Sequence, residues 1–210
     1  MGDVESIMSE SKPSPKTEQD EMAAFPGATD KMFEFLATAQ VPPSPFSKGQ
    51  DWYFYINGYK DAADLLVTHA AEGDPRKLLY PIMFLYRQHL ELALKDLIRD
   101  CRRLLGWQEA FPKTHRIDEL WRLCVGLLHE LSAGTTDNDE TKHTTRLIAE
   151  FCTVDPTSEA FRYPEGKDGS PAPFDVEINL TTVKEVVGKI SLLLDCTSTA
   201  VSTQHGGDAF

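Results

Sequence analysis

An all-α fold, a bundle of about five helices behind a disordered N-terminal arm, is what this 210-residue sequence predicts. Apolar residues recur at three- and four-residue steps over long stretches, the period of a helix with a buried face. The breaks between those stretches carry helix start and stop signals, such as Asp74-Pro75 and Gly106. One stretch, residues 79–98, is apolar on most sides, as a central, buried helix would be.

Residues 1–22 are rich in Ser, Lys, Glu and Pro and read as disordered. Residues 23–47 contain Phe-Pro-Gly and Pro-Pro-Ser-Pro. A short helix around Lys31–Thr38 and then an extended Pro-rich arm are expected, packed on the domain or swapped onto a partner. Residues 1–47 thus form the arm, 48–202 the helical domain and 203–210 a flexible tail.

A first helix starts at Asp51, with Trp52, Tyr55, Ile56, Tyr59, Ala63, Leu66 and Val67 on its apolar side, and ends near Gly73. Asp74 and Pro75 then read as N-cap and first residue of the central helix. Pro81 should bend that helix or mark its true start, and Gly106 should stop it. Along it, Tyr80, Phe84, Arg87, Glu91, Leu94 and Ile98 share one stripe; Met83, Tyr86, Leu90, Ala93 and Leu97 share a second. A third helix opens at Thr114 or His115, with Ile117, Leu120, Trp121, Cys124, Leu127, Leu128 and Leu131 as its core face. Ser132-Ala133-Gly134 ends it, and a fourth helix covers about Asp139–Cys152. The loop over 153–176 holds Phe161 and Tyr163 among its polar residues, so it should fold back onto the helices. Thr182-Val183-Lys184-Glu185 reads as a capping box opening a last helix to about Thr199, and His205-Gly206-Gly207-Asp208 should fray.

A hydrophobic share of 41% is enough for a real core. No run of ~18 apolar residues is present, so no membrane span is expected. The N-terminus lacks a secretory pattern, and Cys101, Cys124, Cys152 and Cys196 stand singly. A cytoplasmic protein with reduced thiols, without zinc site or disulfide framework, is the expectation. No Gly-rich phosphate loop or Gly-x-Ser-x-Gly elbow occurs, and no cofactor or metal is implied. The net charge of −12 argues against bulk attraction to nucleic acid. The charge is uneven: residues 84–122 hold eight bases and six acids, so an anion would be sought there first.

Four places, two of them residue pairs, draw chemical interest. Arg87 and Glu91 lie one turn apart on a greasy face, where charge is costly unless paired. They read either as an internal clamp that sets helix register or as part of a polar cavity for a ligand. On the third helix Arg122 and His129, with Asp118 one turn ahead, return to nearly the same face. Such an Arg can stabilise a pentacovalent phosphate while the His moves the proton of a ribose 2′-hydroxyl; the bland alternative is a solvated stripe. His115, beside a helix start, suits either a base or a loop-fixing residue. Arg162 is either pinned by Glu91 or Asp155, or projects into a cleft with Arg87 and His115. His89 lies on another face and reads as a surface or interface histidine.

Three spaced groups of residues carry a family resemblance. They are Tyr80-Pro81-x-x-Phe84-Leu85-Tyr86-Arg87-x-x-Leu90-Glu91-Leu92-x-Leu94-Lys95, then His115-x-x-x-Glu119-Leu120-Trp121, then Asp155-x-x-Ser158-x-x-Phe161-Arg162-Tyr163-Pro164. Over about residues 50–200 this pattern resembles one lineage of bacterial HEPN-like helical proteins. The resemblance implies a helical bundle, often dimeric. It also implies RNase activity in toxin–antitoxin or phage-defence systems, with a motif of Arg, about four to six residues and then His, placed across a dimer interface. Arg122 and His129 fit that spacing at its upper limit, and Leu123 stands where the family commonly has a polar residue.

Two functions follow. One is a metal-independent endoribonuclease of the HEPN type, a homodimer held silent by a regulatory protein partner. There Arg122 and His129 are catalytic, and Arg87, Glu91, His115 and Arg162 support or line the pocket. The other is a non-catalytic HEPN-like module that senses a nucleotide around Arg87, Glu91, His115 and Arg162, or pairs with a protein partner.

Overall fold

The computed structural model describes residues 51–108, 110–132, 138–166, 169 and 177–207, which fall within one compact unit, Phe46–Phe210. The arm expected over 1–47, with its helix around Lys31–Thr38, lies outside the described residues, as do 170–176 and 208–210. Among the described residues the chain forms five helices and no strand: α1 (Asp51–Ala70), α2 (Pro75–Leu104), α3 (Ile117–Leu131), α4 (Asp139–Val154) and α5 (Leu180–Gly207). None is long and apolar enough to cross a membrane.

The central helix is α2, which packs against α1, α3 and α5, while α4 packs on α3. Its start follows the expected signals: the Asp74 carboxylate accepts from the Arg76 backbone N–H at 3.1 Å, and Pro75 is the first helical residue. Pro81 lies inside the helix and does not mark its start. The end is set by Gly106, whose φ of +70° needs no Cβ accommodation. Both stripes are buried along most of their length, although Tyr80 remains exposed.

Three ends differ from expectation, each for a local reason. Helix α3 begins at Ile117 rather than at Thr114 or His115, because the His115 carbonyl accepts from Arg87 Nη2 at 2.8 Å instead of joining the helix. The first helical bond there is Leu120 N–H to the Arg116 carbonyl, 3.0 Å. Helix α5 is capped by Asn179, not by a box at Thr182: the Asn179 side chain accepts from the Thr182 N–H at 3.1 Å. It also continues through Gly207, past Thr199, into the stretch expected to fray. Val201 is buried against the bundle, so packing gives this stretch reason to stay helical.

Candidate functional site

Two polar assemblies emerge, one sealed in the bundle and one open to solvent. The sealed one is built on α2. Arg87 and Asp155 are each 1% exposed, and Glu91 and Lys95 are also buried. Arg87 Nη1 donates to Glu91 Oε2 at 3.3 Å, and Lys95 Nζ donates to Glu91 Oε1 at 2.8 Å, both one turn apart. His115 Nδ1 meets the same Oε1 at 2.8 Å, while its ring is mostly exposed. Asp155, just beyond α4, takes backbone N–H groups of Glu159 and Ala160 on Oδ1 at 2.9 and 3.1 Å. Its Oδ2 lies 2.9 Å from Arg87 Nε, an ion pair whose N–H direction misses the oxygen, so neither atom makes a directed hydrogen bond.

The cluster is therefore dense and largely self-satisfied. Burial pushes the Glu91 carboxyl up, but hydrogen bonds from Lys95 and His115 outweigh it and hold the group below its ordinary range. Two cations and two carboxylates balance inside the bundle. This arrangement joins α2 to the start of α3 and to the loop after α4, as a clamp does. Arg87, Glu91 and His115 are brought together.

Arg162 is not among them by any of its described contacts. Its Nε donates to the Ser158 carbonyl at 2.5 Å, its guanidinium stacks on Tyr163 at 5.5 Å, and the side chain is exposed. The expected pinning by Glu91 or Asp155 is thus replaced by a loop-internal contact, because Asp155 is already occupied by Arg87 and two backbone donors. Ser158 holds φ at +70°, which turns this loop tightly enough for that contact. His89 is also corrected: it is 1% exposed, not a surface residue. Its Nδ1 lies 2.9 Å from the Ile56 carbonyl, which can only accept, so that nitrogen carries the proton and Nε2 is left without a hydrogen bond.

The open assembly is a groove between α3 and α4. From α3 come Arg122, Val125, Gly126 and His129; from α4 come Thr141, Lys142 and Thr145. The two residues predicted as catalytic thus share one solvent-facing groove. The Arg122 side chain is 74% exposed and touches Asp118 only at 3.6 Å. That carboxylate is committed to Arg116 at 2.9 Å, whose hydrogen bond holds it below its ordinary range. Arg122 is therefore positioned to reach a ligand oxygen. The walls are tied together by Trp121, whose Nε1 donates to Thr145 Oγ1 at 2.8 Å, while that hydroxyl donates to the Thr141 carbonyl. In chemical terms the groove offers a guanidinium, an imidazole and an ammonium beside hydroxyl groups, a set suited to a phosphodiester.

Gly126 and Lys142 are not marked by the sequence, and Lys95 appears there only as the end of the first resemblance group, with no role. The Glu91–Lys95 spacing of one helical turn could have marked Lys95 as part of the cluster. Nothing in the sequence of α4 points Lys142 at α3. Among the described residues, no three His, Cys, Asp or Glu side chains are grouped to hold a metal ion. Comparison with protein-family models, curated proteins and solved structures finds no match.

Proposed function

We propose that this protein is a metal-independent endoribonuclease of the HEPN type that holds RNA in the α3–α4 groove. One observation carries the reading. In a chain of net charge −12, the described residues lining the groove include Arg122, His129 and Lys142 and no carboxylate. Acidic proteins bind nucleic acid through such local exceptions. In the reaction, His129 takes the proton of a ribose 2′-hydroxyl. The freed oxygen attacks the adjacent phosphorus, and the bond to the 5′-oxygen breaks. Arg122 balances the charge gathering on the phosphorane, and solvent protonates the leaving oxygen. The products are a cyclic 2′,3′-phosphate and a 5′-hydroxyl. A homodimer silenced by a regulatory protein in phage defence or a toxin–antitoxin-like system is the setting the resemblance suggests.

The sensing alternative has less support. The Arg87, Glu91 and His115 groups it would use are engaged with one another and with Lys95 and Asp155. The test is cleavage of RNA by the purified full-length protein in EDTA, wild type beside Arg122→Ala and His129→Ala. Loss of cleavage in both variants, with helicity unchanged, is the expected result. Equal activity in all three, or none in the wild type, refutes the assignment.

A further inference from the structure

We infer that the groove seats one phosphate over Gly126, with Arg122 and His129 on either side and Lys142 facing it from α4; this deepens the ribonuclease reading and rests on it. Arg122, Gly126 and His129 stand at positions i, i+4 and i+7 of α3, so the glycine lies between the other two along the axis and on the same face, about 40° to one side of Arg122. Arg122 and His129 are separated by a rise of roughly 10 Å. Both can reach one phosphate only if the surface between them is low. Helical side chains lean toward the helix N-terminus, which carries His129 back over Gly126. Arg122 leans the same way, toward Asp118 one turn back at 3.6 Å, and joins the seat by turning its long, exposed side chain from that weak contact toward Gly126.

Packing supplies no reason for a glycine there. A Cβ added at Gly126 meets nothing within 4 Å, and φ is not in the left-handed region. Glycine inside a helix is unfavourable, so its presence at the middle of the cationic stripe fits a site where a ligand approaches the backbone closely. Gly58 on α1 is equally open and lies off the groove, which makes it the matched control.

The experiment uses the full chain and two readouts. Binding of a fluorescent 2′-O-methyl RNA oligonucleotide, which offers no attacking hydroxyl, is followed by anisotropy. Cleavage of unmodified RNA is followed in EDTA. The variants are Gly126→Leu, Gly58→Leu and Arg122→Ala. Leucine is a strong helix former, so both leucine variants should melt at or above the wild-type temperature. Gly126→Leu is expected to weaken oligonucleotide binding by about tenfold or more and to slow cleavage at least as much, with Gly58→Leu unchanged. If Gly126→Leu binds and cleaves like wild type while Arg122→Ala fails, the ribonuclease reading stands and the phosphate seat is refuted. A wild type that neither binds nor cleaves overturns the reading and the seat together.

Discussion

Arg87 Nε and Asp155 Oδ2 lie 2.9 Å apart inside the bundle, each side chain 1% exposed. The contact fastens the loop after α4 to the middle of α2. A buried pair is expensive to form and more expensive to break, because the remaining charge has no water to turn to. Asp155→Ala should therefore cost about 3–5 kcal/mol in urea unfolding. Arg87→Met should cost at least as much as Asp155→Ala, since it also removes the donors to Glu91 Oε2 and the His115 carbonyl, both of which Asp155→Ala leaves in place. A loss under about 1 kcal/mol for Asp155→Ala would place the pair in effective contact with water.

Acid should destabilise the fold in two stages. Burial of His89 lowers its pKa from the ordinary 6.5, so below that value the unfolded chain binds a proton that the folded chain refuses. The groups around it are Lys60 and Asp64 of α1 and Asp195 of α5. Glu91 is held below its ordinary 4.5, so the unfolded state again binds the extra proton as pH falls through that region. In both windows stability rises with pH and is lost on acidification. Chemical denaturation across the acid range should show His89→Gln flattening the slope below pH 6.5 and Glu91→Gln flattening it only below 4.5. An unchanged slope in His89→Gln would mean that the ring accepts its proton in the folded state.

The helices were legible in the sequence because a 3.6-residue period and caps such as Asp74-Pro75 are local signals. What eluded the sequence was set by distant partners. Helix α3 starts late because Arg87 takes the His115 carbonyl, a contact between residues on different elements. The Arg87–Glu91 pair was readable from one-turn spacing, whereas Asp155 as its third member was not. His89 was misread for the same reason: its partner, the Ile56 carbonyl, belongs to α1. The α3 wall of the groove was visible as Arg122 and His129; the facing wall depends on how α4 docks, which no pattern within α4 reveals.

The Trp121–Thr145 hydrogen bond sets the spacing of the groove walls at 2.8 Å between donor and acceptor. Thr145→Val keeps the shape and removes the acceptor, leaving the Trp121 N–H unpartnered where α4 covers it. A loss of about 1–3 kcal/mol in stability is expected. Oligonucleotide affinity should fall as well, because the cationic walls are no longer held in register. Thr145→Ser, which restores the hydroxyl, should recover both. If Thr145→Val reduces stability and leaves affinity intact, the bond is structural only.

Lys142 is the cation contributed by α4 to the groove, and its effect should be electrostatic more than catalytic. Each phosphate neutralised on a single strand changes the slope of log affinity against log salt by about 0.7. Lys142→Gln should make that slope shallower by about this amount and weaken binding across all RNA sequences alike, since a phosphate contact carries no base information. Arg122→Lys keeps the charge and loses the planar fork, so it should leave the salt slope in place while lowering the cleavage rate. The two substitutions thus separate holding the backbone from stabilising the phosphorane. Titration of the same oligonucleotide at several salt concentrations, paired with single-turnover cleavage, measures both. A Lys142→Gln slope equal to wild type would put the RNA backbone elsewhere than against α4.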